Sequence, residues 1–222
     1  MASVNKANQV ALWERHRFSA TLTVLLIFYA VGTIGILSSY SQRFVQLSFV
    51  NLALTALLLL VNAEGSRARV AVVFALSMVV GFAVEALGVR TGLVFGDYHY
   101  TTGMGPSLVD VPLVIGLNWA MLVHSVHASL AERLRFRGSR AMIGATAMTV
   151  FDWVMEPVAI RLRFWVWQSD TIPQRNYLSW WILSFVLLSA SDTISPHPKN
   201  RLAPWVFGVM LMFFAIVGLR LR

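Results

Sequence analysis

The chain has 222 residues, of which 57% are apolar and only 13% are charged, and its mean hydropathy is +0.67. This balance excludes a soluble globular domain and predicts an integral membrane protein. The formal net charge of +8 does not indicate nucleic-acid binding, because the basic residues lie at the ends of apolar runs. The chain contains no cysteine, which excludes disulfides and thiol-ligated metals.

Seven apolar runs are long enough to cross the membrane as helices, which takes about 20 residues each. They lie near 19–38, 44–63, 70–89, 111–131, 141–160, 177–194 and 203–221. We therefore expect an all-α fold: a polytopic integral membrane helix bundle with about seven transmembrane helices. Residues 1–222 are expected to form a single membrane-embedded domain, with a polar N-terminal segment at 1–17 and the helical bundle at 18–221.

The basic residues also predict an orientation. If the seven runs alternate in direction, eleven of the eighteen Lys and Arg residues fall on the face that holds the N-terminus, and seven fall on the other face. Basic residues are enriched on the cytoplasmic side of membrane proteins. We therefore expect a multi-pass protein of the cell (inner) membrane with a cytoplasmic N-terminus.

The third run ends in a polar segment that a plain connection would not need. Glu85 lies in its last turns, and a carboxylate at that depth costs a few kcal/mol unless it is protonated, paired or hydrated. An ion pair with Arg90 is one explanation. The following loop, 89–109, adds Asp97, Tyr98 and Tyr100, and the fourth run begins with Asn118 and Trp119.

The fifth run carries two acids, Asp152 and Glu156. Residues four apart share one face of a helix, so the two carboxyls are adjacent, and one of them is expected to keep its proton. Pro157 removes a backbone hydrogen bond and is expected to kink the helix. A kink alone is common in packed helices, but a pair of acids directly before it favours a functional site.

Aromatic residues follow the fifth run, and a membrane-interface belt is their simplest explanation. We accept that explanation for Trp167 and Trp181. For Trp165, Asn176 and Trp180 we expect a place in the site instead, because of the depth at which they lie.

Helix direction alternates along the chain, so the depths of the polar residues can be compared. The end of run three, the start of run four, the end of run five and the start of run six all fall in the same leaflet, and their loops lie on the same face. The other leaflet holds only His124, His127 and Asp192. Scattered packing residues would occupy both leaflets, so the distribution predicts one pocket containing three acids and many aromatic rings.

The remaining polar residues do not favour a metal site or a retinal photoreceptor. His124 and His127 are one helical turn apart, but a metal pair is less expected than hydrogen-bonded structure in a chain with five histidines. Asp192 is expected to be a helix-end group near Lys199. The only lysines, Lys6 and Lys199, lie outside the middle of any run, which excludes a retinal Schiff base.

Three carboxyls among aromatic rings suit acid-initiated addition to an alkene. A carboxylic acid kept protonated in a buried site can donate its proton to carbon. Trp and Tyr faces stabilise the resulting cation by about 0.5–2 kcal/mol each. A second carboxylate can take a proton from attacking water, which yields a tertiary alcohol.

The same residues resemble a known family, the membrane carotenoid hydratases, which include γ-carotene 1′-hydroxylases and bisanhydrobacterioruberin hydratases. The resemblance covers more than half of the chain, through Glu85-x-x-Gly88, Thr91-Gly92, Phe95-Gly96-x-Tyr98-x-Tyr100, Gly105, Val111-Pro112, Trp119, Asp152-x-x-x-Glu156-Pro157-x-Ala159, Trp165-x-Trp167, Ile172-Pro173 and Asn176-Tyr177-x-x-Trp180. It implies hydration of the terminal double bond of an acyclic ψ-end group, without a redox cofactor or a metal.

Together, the residues and the resemblance define the expected site. Catalytic roles are expected for Asp152, Glu156, Glu85 and Asp97. Substrate-binding roles are expected for Tyr98, Tyr100, Asn118, Trp119, Trp165, Asn176 and Trp180.

The expected partners are a carotenoid, water and membrane lipid, with other enzymes of the carotenoid pathway as further candidates and no nucleic acid. The basic charge departs from the acidic composition of haloarchaeal proteins, which favours a forty-carbon carotenoid over a fifty-carbon one. Two alternatives stay open: a membrane lycopene cyclase-type enzyme, which shares the protonation step, and a proton-coupled transporter, which would need polar groups in both leaflets.

Overall fold

The computed structural model describes residues 2–169 and 171–221, except for the side chains of residues 2–12 and 102. The helices are α1 (Ala2–Ile36), α2 (Ser41–Gln46), α3 (Ser48–Asn62), α4 (Arg67–Thr91), α5 (Leu113–Ala131), α6 (Arg137–Arg161), α7 (Gln174–Ile194) and α8 (Ala203–Arg220). The short strands are β1 (Ala63–Glu64), β2 (Tyr98–Tyr100), β3 (Ser107–Leu108), β4 (Val111–Pro112), β5 (Trp165–Trp167) and β6 (Lys199–Asn200), and a 3₁₀ turn covers Thr102–Met104.

This architecture confirms the all-α membrane bundle. Within the described residues, six helices are long and apolar enough to cross a membrane: α1, α4, α5, α6, α7 and α8. The predicted run at 44–63 is divided between α2 and α3, and α3 has 15 residues. At 1.5 Å per residue it extends about 22 Å, short of the roughly 30 Å of the hydrocarbon layer.

Helix α5 is the centre of the bundle. It is 72% buried over its apolar window, more than any other candidate span, and packs against α3, α4, α6, α7 and α8. Helix α1 closes the ring by packing on α3 and α8. The hydropathy of α5 does not set it apart, because α1, α4 and α8 are more apolar and less buried.

Two strand pairs fix the connecting loops to opposite ends of the bundle. Strand β2, which follows α4, pairs antiparallel with β5, which follows α6, so that Tyr98 is opposite Trp167 and Tyr100 is opposite Trp165. At the other end, β1 pairs with β6. The loops after α4 and α6 therefore lie on one face, as the alternation of helix direction predicts.

The buried polar residues of the opposite half bind one another. His127 Nε2 lies 3.0 Å from Asp192 Oδ1, and Arg140 lies 3.4 Å from the same oxygen. His124 Nε2 contacts the side-chain amide of Asn200 at 3.0 Å. Asp192 lies in the last turn of α7, as expected, but it is buried, and its described partners are His127 of α5 and Arg140 of α6 in place of Lys199.

Candidate active site

Glu85 is held by three hydrogen-bond donors. Its Oε2 accepts from the hydroxyls of Tyr98 at 2.5 Å and Tyr100 at 2.9 Å, and its Oε1 accepts from Trp119 Nε1 at 3.0 Å. The side chain is only 4% exposed. The alternative of an ion pair with Arg90 is therefore wrong: phenol and indole donors satisfy this buried carboxyl.

Local structure explains how these donors reach Glu85. Tyr98 and Tyr100 are two apart on β2, so their side chains leave the strand on the same side. Trp119 lies against Gly81, where a Cβ atom would stand 2.5 Å from the indole, so only glycine leaves room for it. The other face of Trp119 stacks on Trp180, with ring centroids 4.2 Å apart.

The two acids of α6 have different surroundings. Glu156 Oε2 accepts from Trp165 Nε1 at 3.1 Å and from Trp167 Nε1 at 3.0 Å. Asp152 Oδ2 accepts from Asn176 Nδ2 at 2.7 Å. Asp152 Oδ1 is buried and has no hydrogen-bond partner among the residues that the structure describes. Helix α6 continues through Pro157 to Arg161, and the two acids, four residues apart before the proline, lie on one face of it.

A single cavity reaches all three carboxyls. It comprises about 890 Å³ of space free of protein atoms, a volume that includes space open to the surroundings, and most of its wall is apolar. Aromatic rings from α1, α5, α7, α8 and the paired strands β2 and β5 line it. None of the described lining residues is basic. The carboxyls are therefore compensated by N–H and O–H donors and not by cations.

The two tyrosines remain protonated donors at neutral pH. The pKa of Tyr98 is raised well above its ordinary value, mainly by burial and secondly by the nearby charge of Glu85. The same two causes raise the pKa of Tyr100. Tyr98 also contacts Tyr100 edge to face, with ring centroids 5.5 Å apart. The phenols thus combine fixed hydrogen bonds to Glu85 with ring faces that border the cavity.

Comparison with known proteins identifies the family of this chain. The family model described as "Carotenoid biosynthesis protein" matches residues 44–220, which is more than half of the chain. The chain belongs to this carotenoid biosynthesis protein family. It is 25% identical over 206 residues to a bisanhydrobacterioruberin hydratase of Haloarcula japonica, covering 84% of this chain and 69% of that protein. No solved structure matches.

In this member of the carotenoid biosynthesis family, ten of the eleven predicted site residues line the cavity. They are Glu85, Tyr98, Tyr100, Asn118, Trp119, Asp152, Glu156, Trp165, Asn176 and Trp180. Their meeting in one chamber is the spatial arrangement that helix alternation predicts. Their roles remain a proposal, which we develop below.

The predicted catalytic residue Asp97 lies elsewhere. It is exposed and outside the cavity wall, and its carboxylate lies against Gly92, where a Cβ atom would stand 1.9 Å from Asp97 Oδ1. Its backbone oxygen accepts from Gln168 N at 2.9 Å. Asp97 therefore shapes the turn before β2, and we do not carry it into the proposed chemistry.

The sequence interpretation missed one aromatic residue that contacts the acids. Trp167 was expected in an interface belt, but it lines the cavity, binds Glu156, and lies 4.9 Å from the Tyr98 ring between centroids. The signal was present, because Trp165 and Trp167 are two apart and share one side of a strand.

Helices α1, α3 and α8 also contribute lining residues that the sequence did not single out. They include Tyr29, Asn51, Met210, Phe213 and Phe214. The polar lining residues of these helices within the described chain are Tyr29, Ser48 and Asn51, and none stands in a pattern that distinguishes it from a packing residue. No motif could have found the aromatic residues of α8, because an apolar helix has the same composition whether it faces lipid or a cavity.

The described residues include no group of three or more His, Asp and Glu side chains arranged to hold a metal ion. His124 and His127, the pair considered from the sequence, each have a separate partner in Asn200 and Asp192.

Proposed function

We propose that this protein hydrates the terminal carbon–carbon double bond of an acyclic ψ-end group of a carotenoid, without a cofactor, as a hydro-lyase. The substrate end resembles that of γ-carotene, lycopene or bisanhydrobacterioruberin, and the product is a tertiary alcohol. The observation that carries the proposal is one largely apolar cavity in which three carboxyls lie among aromatic rings. The hydratase activity named for the Haloarcula japonica relative supports it.

The reaction balances with residues on the cavity wall. A carboxylic acid gives its proton to the less substituted alkene carbon, and the π electrons form the new C–H bond. The cation left on the tertiary carbon is stabilised by neighbouring aromatic faces and by carboxylate charge. Water then forms the C–O bond and loses a proton to a carboxylate. Return of that proton to the acid restores the site, so the net change is the addition of one water.

The aromatic wall also favours a carotenoid over a polar substrate. A long polyene offers apolar surface to rings such as Phe95 and Phe213 and has no charge that requires a basic partner. The exposed apolar surfaces of the helices place the protein in a bilayer, where a carotenoid is dissolved. Substrate and enzyme therefore share one phase.

Conversion of an acyclic carotenoid by a host that expresses the protein tests the proposal. The expected product is heavier by one water, whereas a cyclase would give a product of unchanged mass. Asp152→Asn and Glu156→Gln should each reduce turnover by about 10²–10⁴-fold, the usual contribution of a general acid or base. Asp110→Asn and Glu132→Gln, at exposed positions away from the carboxyl cluster, serve as matched controls with wild-type turnover. Unchanged pigment in the presence of folded wild-type protein would contradict hydration.

A further inference from the structure

We propose that Asp152 is the carboxyl that carries the reactive proton, on Oδ1, and that Glu85 and Glu156 are held as carboxylates. The assignment rests on the proposed hydration for its chemical meaning. Its basis is the unequal number of hydrogen-bond donors around three acids in a cavity whose described lining includes no basic residue.

The three acids differ in the number of hydrogen bonds that they accept. Glu85 accepts three hydrogen bonds, Glu156 accepts two, and Asp152 accepts one. Each donor directed at a carboxyl favours its charged form, and an indole N–H can only donate. Glu156 therefore has two partners that suit an anion, from Trp165 and Trp167. Asp152 has the least compensation for a negative charge.

Burial and spacing add to this ranking. Asp152 has no exposed surface, while Glu156 is 3% exposed and Glu85 is 4% exposed. Asp152 also lies one helical turn before Glu156 on the same face of α6, so ionising both would place two negative charges side by side. The side chain with the fewest donors and the deepest burial is the one that keeps its proton.

The free oxygen of Asp152 is the one suited to protonate carbon. Oδ2 accepts from Asn176, while Oδ1 has no hydrogen-bond partner among the described residues. A proton on Oδ1 is therefore not already engaged with another described acceptor. Because Oδ1 is itself buried behind the cavity wall, neighbouring side chains must shift slightly for an alkene in the cavity to reach that proton. Asn176 fixes the orientation of the carboxyl and acts as a positioning residue.

Glu156 is then the base, with Trp165 and Trp167 as its positioning residues. After Asp152 gives its proton to carbon, attacking water gives a proton to Glu156. That proton returns to Asp152 across one helical turn, so both carboxyls recover their starting states. Glu85, held by three donors from β2 and α5, keeps its charge and stabilises the cation.

Infrared spectroscopy of the full-length protein in lipid vesicles, without substrate, tests the assignment. A protonated carboxyl has a C=O band that shifts in deuterated water. We expect this band in the wild type, its loss in Asp152→Asn, and its retention in Glu156→Gln and Glu85→Gln. Loss of the band in Glu156→Gln with retention in Asp152→Asn would overturn the proposal, as would absence of the band in the wild type.

Trp167→Phe provides a second variant that keeps the ring and removes the N–H. We expect Glu156 to gain a proton in part, so the protonated-carboxyl band should grow, and it should remain at the wild-type level in the exposed control Trp153→Phe. An unchanged band in Trp167→Phe would contradict the role of the indole pair. Because these measurements need no substrate, the assignment can fail while hydration stands, and hydration can fail while the assignment stands.

Discussion

The Trp119 side chain both donates a hydrogen bond to a site carboxyl and packs against another indole ring. Its indole N–H donates to Glu85, and its ring stacks on Trp180 with an interplanar angle of 26°. The side chain has no exposed surface, so any substitution tests both the hydrogen bond and the packing. Substitutions that remove one contribution at a time can separate them.

We predict that Trp119→Phe lowers turnover about tenfold while changing stability little, because the ring contact is largely kept and one donor to Glu85 is lost. A tenfold change corresponds to about 1.4 kcal/mol, close to the lower end of the range of about 1.5–3 kcal/mol for a hydrogen bond to a charged group. Trp119→Ala should instead cost about 3–5 kcal/mol of stability. Turnover and thermal unfolding of both variants in the same lipid give the comparison. Full activity in Trp119→Phe would show that the N–H is dispensable.

Residue spacing accounts for some of the site and not for the rest. The acid pair Asp152 and Glu156 follows from a separation of four in an apolar helix. The partners of Glu85 come from residues 13 to 34 positions away, so periodicity cannot supply them. Asp97 shows the opposite case: it stands in the same motif as Tyr98, but it lies in the bend before β2, where its carboxylate is against Gly92 and outside the cavity wall.

At the scale of the elements, the contact between α4 and α5 sets the position of Trp119. Gly81 lies where the two helices approach, and the backbone there must leave space for the indole. The chain has no comparable constraint at Gly208 of α8, where a Cβ atom would meet nothing within 4 Å. The two glycines thus offer a matched pair.

We predict that Gly81→Ala destabilises the protein by about 1–3 kcal/mol and reduces turnover, because the added methyl group displaces Trp119 from Glu85. Gly208→Ala should leave stability unchanged or raise it by about 0.4–1 kcal/mol, since alanine restricts the unfolded chain and clashes with nothing. Thermal unfolding and turnover measured side by side decide the matter. Equal behaviour of the two variants would mean that the close approach at Gly81 does not control the site.

The sequence predicts the long membrane helices well and the short helices and strands poorly. Long apolar runs identify α1, α4, α5, α6, α7 and α8, because length and hydropathy suffice to recognise a membrane helix. The run at 44–63 has the same composition, but its chain forms α2 and the shorter α3. The pairing of β2 with β5 has no sequence signal of its own, since strands of three residues are too short to show a period.

At the scale of the whole molecule, the bundle has two chemically different ends. The carboxyl cavity is lined in part by the segments after α4 and α6, and the histidine, aspartate and arginine network lies toward the other end. The network joins α5, α6 and α7 through buried contacts and so supports the central helix. Sequence reasoning placed the polar residues in the correct halves, but it did not reveal that α1, α3 and α8 complete the cavity wall.

The charge bias predicts that the cavity end faces away from the cytoplasm. Because the chain has no cysteine, single cysteines report the orientation without interference. We predict that His99→Cys, in β2, reacts with an impermeant maleimide added outside the cells, and that Ser139→Cys, at the start of α6, reacts only after the membrane is opened. Both positions are exposed. The reverse labelling pattern would invert the proposed topology while leaving the chemistry untouched.

Isotope incorporation tests the account most directly. The folded protein in vesicles is given an acyclic carotenoid in heavy-oxygen water, and separately in deuterated water, and the product is analysed by mass spectrometry. Hydration by a carboxyl acid predicts one heavy oxygen per converted end group and one deuterium fixed on the adjacent carbon, with both absent in Asp152→Asn. A product whose oxygen comes from elsewhere, an isomer without added oxygen, or carbon-bound deuterium at the wild-type level in Asp152→Asn would contradict it.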